Sequence, residues 1–252
     1  MKIGIIGFGN LGSAFATGLV KQGYLQDDIL ISDPSDTAVK RAHILGINNT
    51  DMNSLILKSD VIVLTVKPAV YHQIEISQEQ VLGKTIISCV AGISMKQLAM
   101  RFNTQIVRAM PTIAMENLQS VSGLCFDEYA QNKDEIVALF EKLGIVLVDT
   151  EDKLENVTAL ASCGLGFAAY ILDCFTKSGE NLGYTEAQAI KIVGQTFAAA
   201  IEMGDFEQLM ARVATKGGIT QQGIDFMADA NVNKLIDGAV KTAYAKASEY
   251  KE

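Results

Sequence analysis

The chain opens with Met1-Lys-Ile-Gly-Ile-Ile-Gly-Phe-Gly-Asn-Leu-Gly12, and the rest of the sequence is organised around this stretch. Its apolar run from Ile3 to Ile6 is typical of a strand buried on both faces, and a helical pattern begins at Gly12. Gly7, Gly9 and Gly12 therefore have the G-x-G-x-x-G spacing at a strand-to-helix turn. In a dinucleotide site, the first glycine makes the turn, the second admits a pyrophosphate and the third lets helix pack on strand. The stretch predicts such a site, and an ordinary tight turn is the alternative.

The backbone of this turn supplies the first candidate ligands. N–H groups at the start of a helix face the phosphates, and the helix dipole favours negative charge there. The predicted cofactor-binding residues of the turn are Gly7, Phe8, Gly9, Asn10, Leu11 and Gly12.

Length and composition indicate a globular protein of one large domain or two modest ones. The chain has 252 residues, of which 49% are hydrophobic and 20% charged. A formal net charge of −8 argues against nucleic acid as a partner, because phosphate contact needs a basic surface. The four cysteines show no metal-ligand spacing, so no metal is expected and reduced thiols in a cytoplasmic protein are predicted. The sequence begins directly with a strand pattern, so no secretory signal is expected.

One segment, Val157 to Phe175, is apolar and about long enough to span a membrane. It carries Thr158, Ser162, Asp173 and many small residues, and basic residues do not mark one flank. We therefore predict a helix buried at a domain or subunit core, and no membrane partner.

Ile29 to Asp33 predicts a second strand, and Asp33 stands about twenty residues past the glycine turn. A carboxylate in this place can accept hydrogen bonds from a ribose 2′-OH, which favours NAD. It could also be a turn residue before Pro34. The hydroxyl and basic side chains that follow could instead hold the 2′-phosphate of NADP: Ser35, Thr37, Lys40 and Arg41. The choice between NAD and NADP stays open, with Asp33 and Ser35 as candidate ligands.

Further buried runs alternate with helical stretches, which indicates a parallel, doubly wound α/β sheet. The predicted strands are Asp60–Val66, Thr85–Val90, Gln105–Arg108, Val121–Phe126 and Ile145–Val148, with a helix over Asp134–Leu143 before the last. Ligands of such sheets bind at the carboxyl ends of the strands. The turn segments that follow three of these strands are therefore near the predicted site: Lys67-Pro68, Ala91-Gly92 and Ala109-Met110-Pro111.

After about Thr150 no strand-like run recurs, and the remainder predicts an all-helical domain. The predicted helices are Leu154–Gly179, Thr185–Met203, Asp205–Ala214 and Thr220–Glu252, with Thr185 as a capping residue. We place the boundary near Glu151, between a dinucleotide-binding domain (1–150) and a helical domain (151–252). The helical half has too many apolar positions to bury alone, which predicts a homodimer or a higher homo-oligomer.

A glycine pair in Lys216-Gly217-Gly218-Ile219-Thr220 precedes the last predicted helix. Consecutive glycine N–H groups at a helix start can form a nest for a carboxylate. Thr220 could cap the helix, or its hydroxyl could contact a bound substrate, and the two roles are compatible.

The small number of histidines argues against histidine-based catalysis. His43 and His72 are the two histidines of the sequence, and both have the surroundings of surface residues. A dehydrogenase relay of histidine and carboxylate is therefore not expected. The sequence also contains no zinc-ligand cluster and no nucleophile elbow.

Seven motifs along the chain match one pattern in order and spacing. They are Ile3–Gly12, Val66-Lys-Pro68, Val90-Ala-Gly-Ile93, Arg108-Ala-Met-Pro111, Val157-Thr-Ala-Leu160, Gly194-Gln-Thr196 and Gly217-Gly-Ile-Thr220. Together they resemble the pyrroline-5-carboxylate reductase family over nearly the whole chain. The resemblance implies a Rossmann domain followed by a helical domain that interlocks with a partner subunit. It also implies NAD(P)H-dependent reduction of a cyclic imine to proline, the last step of proline biosynthesis.

The resemblance also implies roles for residues. The cofactor-binding set is completed by Val66, Lys67, Pro68, Ala91 and Gly92. The substrate-binding set consists of Met110, Pro111, Thr215, Lys216, Gly217 and Gly218. Thr220 is the candidate catalytic residue, placed near the imine nitrogen. A protonated C=N is already a strong electrophile, so hydride transfer needs mainly orientation and charge stabilisation.

Three motifs depart from the family pattern. Asn-Thr-Pro is replaced by Thr112–Ala114, Ser-Gly-Ser-Gly-Pro-Ala by Ala161–Gly166, and Ser-Pro-Gly-Gly by Thr215–Gly218. Lys216 in the last of these adds a cation that could reach a carboxylate. Because the departures cluster at the expected active site, two alternatives stay open: a catalytically weak, regulatory dinucleotide-binding paralogue, and a reductase of a different cyclic imine or ketone.

Overall fold

A computed structural model describes residues 1–248 and divides the chain into two compact units. Met1–Ser162, together with the described end of the chain from Ala243, form the first unit, and Cys163–Thr242 form the second. The domain boundary near Glu151 stays a prediction.

Eight strands form one sheet in the first unit. They are β1 (Ile3–Ile6), β2 (Ile29–Ser32), β3 (Asn48–Asn49), β4 (Val61–Leu64), β5 (Thr85–Ser88), β6 (Gln105–Met110), β7 (Ser120–Phe126) and β8 (Gly144–Val148). Their spatial order is β3-β2-β1-β4-β5-β6-β7-β8. The chain moves outward from β1 to β3 and then resumes on the other side of β1 with β4. This topological switch is where the ligand crevice of an open α/β sheet lies.

Every neighbouring pair of strands is parallel except β6 with β7, which is antiparallel. The connection between these two strands, residues 111–119, contains the 3₁₀ turn Ile113–Asn117. A parallel crossover needs a dozen or more residues, so this short connection can only return the chain antiparallel. The predicted doubly wound α/β sheet is confirmed, with β7 and β8 running opposite to the other six strands.

Helices cover both faces of the sheet. They are α1 (Asn10–Lys21), α2 (Asp36–Ile44), α3 (Met52–Lys58), α4 (Pro68–Tyr71), α5 (Gln78–Val81), α6 (Met95–Arg101) and α7 (Lys133–Glu141). Two hydrophobic clusters result, one containing Phe15 and Phe140 at 5.6 Å between ring centroids, the other containing Leu55 and Leu98. β1 is buried on both faces because its alternating side chains enter both clusters.

The helical region begins with α8 (Leu154–Val157) and a π-helical turn (Thr158–Ser162), both in the first unit. The remaining helices are α9 (Cys163–Asn181), α10 (Glu186–Met203), α11 (Phe206–Val213), α12 (Ile219–Asp229) and α13 (Val232–Ser248). The long helix predicted from Leu154 is thus interrupted by the π turn, which the sequence did not indicate. The predicted cap is confirmed, because the Thr185 hydroxyl accepts a hydrogen bond from the Gln188 N–H.

The prediction of one last helix from Thr220 to Glu252 is wrong within the described residues. α12 ends at Asp229, and Asn231 has a φ of 56°, a left-handed conformation that cannot continue a helix. α13 then starts at Val232. The predicted end at Glu252 lies outside the described residues.

Within the second unit, α9 and α10 pack closely. Phe175 and Phe197 meet edge to face with 5.1 Å between their centroids, and a Cβ on Gly179 would lie 2.9 Å from the Ala189 Cβ. Every residue of α9 nevertheless keeps exposed surface, so the predicted burial of this helix is not achieved within the single chain. By length and composition alone, Glu151–Asn181 also qualifies as a membrane span, which for one helix is weak evidence.

Candidate functional site

Two glycines of the opening turn are required by the protein's own packing. Gly7 has a φ of 91°, and a Cβ there would lie 2.7 Å from the Val66 side chain. A Cβ on Gly12 would lie 2.2 Å from the Gly7 carbonyl oxygen and 2.7 Å from the Thr65 hydroxyl. Any larger residue at either position would collide with the turn or with the end of β4.

Gly9 differs from the other two, because the space around it is open. No described atom outside its immediate neighbours lies within 4 Å of the place that a Cβ would take. Its φ of −72° and ψ of −155° are also accessible to any residue. Packing therefore gives no reason for glycine here, whereas close approach of a ligand to the backbone does.

Gly9 is also the N-cap of α1. The first N–H groups of a helix have no intrahelical partner, so those of Asn10, Leu11 and Gly12 point out of the helix start. Together with the dipole of a twelve-residue helix, they form an anion-binding position directly beside the open space at Gly9.

The Asp33 carboxylate braces this turn. Its Oδ2 accepts a hydrogen bond of 2.6 Å from the Phe8 N–H, and its Oδ1 accepts one of 2.8 Å from the Ser35 N–H. The Phe8 side chain is fully buried in the core, so neither its ring nor its N–H is open to a ligand. Of the two roles considered for Asp33, the structure supports the turn residue directly, and the ribose contact stays a prediction.

A cation lies at the start of α1. Arg41 extends from α2 and donates from Nη1 to the Asn10 Oδ1 over 3.3 Å. Arg41 is exposed, as are the other side chains considered for a 2′-phosphate: Ser35, Thr37 and Lys40.

The end of β4 closes the other side of the turn. The Thr65 hydroxyl donates to the Gly7 carbonyl oxygen over 2.5 Å, so it fixes the conformation of the first glycine. Lys67 is the exposed N-cap of α4, and Pro68 takes the first helical position, where a missing N–H costs nothing. The sequence reasoning missed Thr65, although a hydroxyl at a strand end beside the turn is a recognisable signal.

A groove of about 460 Å³ joins these parts. Its lining is mostly apolar and consists of Ile6, Gly7, Gly9, Ser32, Asp33, Pro34, Met52, Thr65, Val66, Lys67, Val70 and Ile74. Volume does not distinguish it, because an equal cavity lies at the amino ends of the strands beside Tyr24 and Lys142. The position at the switch point and the open Gly9 distinguish it.

Two other predicted segments follow β5 and β6. Ala91 is exposed and Gly92 adopts a φ of 76° in the loop after β5. Met110 and Pro111 are buried, with Met110 packed against Leu154. The side chains of these two residues therefore face the interior, and the Pro111 carbonyl accepts a hydrogen bond from a hydroxyl of the π turn.

The predicted substrate loop lies in the second unit. Gly217 has a φ of 74°, and the Gly218 N–H donates to the Thr215 carbonyl oxygen over 2.8 Å. A Cβ on Gly218 would meet the Thr215 hydroxyl at 2.5 Å, so this glycine is required by the turn itself. Lys216 and Gly217 are exposed, and of the two glycine N–H groups the one on Gly217 is the candidate for a ligand.

Thr220 is not the cap of the last helix pair, which corrects one of the two roles considered for it. α12 starts at Ile219 with Gly218 as its N-cap, because the left-handed Gly217 ends the turn one residue earlier than the sequence suggested. Thr220 is therefore the second helical residue, and its side chain is exposed. The hydroxyl has no structural duty in capping.

The switch-point sheet, the glycine turn and the groove define the class: a dinucleotide-binding Rossmann fold followed by a helical region. A family model described as "NADP oxidoreductase coenzyme F420-dependent" matches residues 2–92, and one described as "Pyrroline-5-carboxylate reductase dimerisation" matches residues 151–250. Both matches support assignment of the chain to the pyrroline-5-carboxylate reductase family.

Individual relatives agree with this assignment. The chain is 26% identical to a pyrroline-5-carboxylate reductase of Staphylococcus epidermidis, over 99% of this chain and 97% of the relative. Among solved structures, the reductase of Coxiella burnetii is 26% identical with a TM-score of 0.84, over 100% of this chain and 98% of the other. The Plasmodium falciparum enzyme, solved with NADP bound, is 23% identical with a TM-score of 0.90, again over 100% and 98%.

Proposed function

We propose that this chain reduces 1-pyrroline-5-carboxylate to L-proline with NADPH or NADH. The observation that carries the proposal is Gly9, whose missing side chain is explained by a ligand and not by packing. It agrees with relatives that are named pyrroline-5-carboxylate reductase along the full length of this chain.

The groove residues fit a dinucleotide. The N–H groups of Asn10, Leu11 and Gly12 would hold the pyrophosphate, and the apolar lining would hold the flat rings. The exposed cations Lys67 and Arg41 would offset phosphate charge at the two sides of the turn. The cofactor supplies the hydride when it is bound.

The substrate loop would act on the other reactant. The Gly217 N–H and the Lys216 ammonium are suited to a carboxylate. The exposed Thr220 hydroxyl would stabilise the imine nitrogen through a hydrogen bond as charge changes there. These assignments rest on the family resemblance and on the exposure of Lys216, Gly217 and Thr220.

The helical region is proposed as a homodimer interface, with the domain boundary near Glu151, where the dimerisation family model starts. An apolar groove of about 380 Å³ between α9 and α13 supports this, since such a surface is unusual on a monomer. Its lining includes Phe167, Tyr170, Ile171, Phe175, Leu235 and Ile236. A cytoplasmic location is proposed as well, because all four cysteines are free thiols.

The test is NADPH oxidation with three imines: 1-pyrroline-5-carboxylate, its 2-carboxylate isomer and 1-pyrroline without a carboxylate. We expect the first to be turned over fastest. We expect the last to lose about 100-fold or more in kcat/KM, because the polar groups of the loop are then unpaired. Faster turnover of either analogue would indicate a different imine reductase. Cofactor binding without turnover of any imine would overturn the proposal in favour of a regulatory paralogue.

A further inference from the structure

Arg108 places a positive charge inside the protein. It lies in β6, is 1% exposed, and faces the side of the sheet that α8 covers. A buried charge needs compensating partners, and two carboxylates provide them. The Arg108 Nη1 lies 2.7 Å from the Glu151 Oε1 and 3.6 Å from the Glu155 Oε1.

Glu151 has a second partner. Its Oε1 also accepts a hydrogen bond of 2.6 Å from the Met95 N–H, the first residue of α6. One carboxylate oxygen therefore joins β6 to the start of α6. Glu151 is 56 positions from Met95 and 43 positions from Arg108 in the sequence. The Arg108 charge holds the carboxylate in this place, since a charge-assisted hydrogen bond is shorter and stronger than a neutral one.

The start of α6 is the end of the loop that follows β5, at the same carboxyl edge of the sheet as the glycine turn. This β5–α6 loop, residues 89–94, includes the exposed Ala91 and the left-handed Gly92. β2, β1, β4 and β5 are consecutive in the sheet. At about 4.8 Å per strand, the end of β5 lies about 14 Å from the end of β2. An extended dinucleotide with its adenosine beside Asp33 and its pyrophosphate at Gly9 therefore directs its reactive end toward this loop.

We propose that Glu151, held by Arg108, is a positioning residue that fixes the β5–α6 loop and thereby the orientation of the nicotinamide. The proposal rests on the proposed function. Glu151 does not touch the groove, and it acts through the Met95 N–H. It is also the first residue matched by the dimerisation family model, so the cluster links the start of that region to the cofactor loop.

A capping box at the same helix start is independent of Glu151. Ser94 and Gln97 form a capping box, in which the Ser94 hydroxyl accepts from the Gln97 N–H over 3.2 Å. Removal of the Glu151 side chain therefore frees the loop without removing the cap of α6. Glu151→Gln keeps an acceptor for the Met95 N–H but loses the charge that pairs with Arg108, whereas Glu151→Ala loses both.

The test separates the two ends of the cofactor. Binding of 2′,5′-ADP reports the adenosine end, and the fluorescence spectrum of bound NADPH reports the nicotinamide end. For Glu151→Ala we expect 2′,5′-ADP affinity within about twofold of the parent protein, with NADPH emission shifted toward that of free NADPH. Glu151→Gln and Arg108→Lys should give smaller shifts in the same direction. The matched control is Asp149→Asn, which removes one carboxylate charge from the same segment, at the exposed ion pair with Lys153.

Turnover gives an independent reading. With NADPH deuterated at the transferred position, the kinetic isotope effect on kcat should rise in Glu151→Ala, because a misplaced nicotinamide slows hydride transfer itself. Parent-like emission and isotope effect in a folded variant, or an equal loss of 2′,5′-ADP and NADPH binding, would overturn the proposal. Should Glu151→Ala not fold, Glu151→Gln and Arg108→Lys decide by the same readings. Since the fluorescence comparison needs no imine, it decides even where turnover of 1-pyrroline-5-carboxylate fails and overturns the proposed function.

Discussion

The Asp33 carboxylate accepts a 2.6 Å hydrogen bond from the Phe8 N–H, 25 positions earlier in the chain. The residue that the sequence singled out for choosing between NAD and NADP is thus a brace for the phosphate-binding turn. Its other oxygen accepts a hydrogen bond from the Ser35 N–H, so the carboxylate joins two backbone segments. The conformation of the turn depends on this side chain, so a mutation of Asp33 should affect every cofactor that binds there.

Asp33→Ala should weaken the binding of NADH and NADPH by similar factors, each about 10-fold, on the order of 1.4 kcal/mol. The reason is that loss of the brace disturbs the pyrophosphate position that both cofactors share. Dissociation constants of the two cofactors, measured by fluorescence titration, check this. A loss confined to NADH would show instead that Asp33 acts mainly on the ribose hydroxyls.

Gly9→Ala should mainly weaken cofactor binding, whereas Gly12→Ala should mainly lower stability. Gly9→Ala should leave the melting temperature within a degree or so and weaken cofactor binding about 10-fold or more, because its methyl group meets only the ligand. Gly12→Ala should lower the free energy of unfolding by about 1–3 kcal/mol, since the methyl group meets the Gly7 carbonyl. Thermal melts and cofactor titrations of both variants suffice. Unchanged affinity in folded Gly9→Ala would remove the main support for the site.

Thr220→Ala should lower kcat by about 10-fold or more, the scale of one lost hydrogen bond of about 1.4 kcal/mol. Because Gly218 and not Thr220 is the N-cap, the substitution should cost little stability, and any loss of rate then reports chemistry. Thr220→Ser, which keeps the hydroxyl, is the control and should retain most activity. Equal turnover of the alanine and serine variants would exclude a catalytic hydroxyl.

Tyr170→Glu should convert the assembled protein to a monomer. Tyr170 is 70% exposed in the single chain and lines the apolar groove of the helical region. A charge placed there should weaken association by about 2 kcal/mol or more. Sedimentation at micromolar concentration checks this against Ile44→Glu, an equally drastic change at an 82% exposed position on α2. A parent protein that sediments as a monomer would contradict the proposed interface.

Cys89 should resist alkylation in the folded protein at pH 8. Burial raises the pKa of its thiol to about 12, although the residue as a whole is only partly buried. A raised pKa leaves the thiol protonated until the pH approaches that value, and the thiolate is the reactive form. Mass spectrometry after iodoacetamide treatment should find Cys89 unmodified in the native protein and modified in urea. Rapid native labelling would show that the end of β5 opens.

Local patterns were sufficient for much of this protein. The buried run Ile3–Ile6, the glycine spacing that follows and the Thr185 capping box each depend on residues within a few positions of one another. Their physical causes act over the same short distance. These causes are the alternation of side chains, backbone sterics and the need of helix-end N–H groups for hydrogen-bond partners. The sequence therefore determined the α/β class, seven of the eight strands and the position of the glycine turn, whereas the two-residue edge strand β3 was not predicted.

Only the tertiary structure decided those features that depend on residues far apart in the sequence. The Asp33 brace, the antiparallel β7 and the Arg108–Glu151 pair join residues whose proximity arises only when the sheet forms. The same holds for the surroundings of the glycines. The motif predicted a different role for each of the three, but only the packed structure shows that Gly9 has open space around it and that Gly7 and Gly12 have none. A side chain's role follows from the atoms around it, and the chain supplies those atoms from strands and helices far apart in sequence.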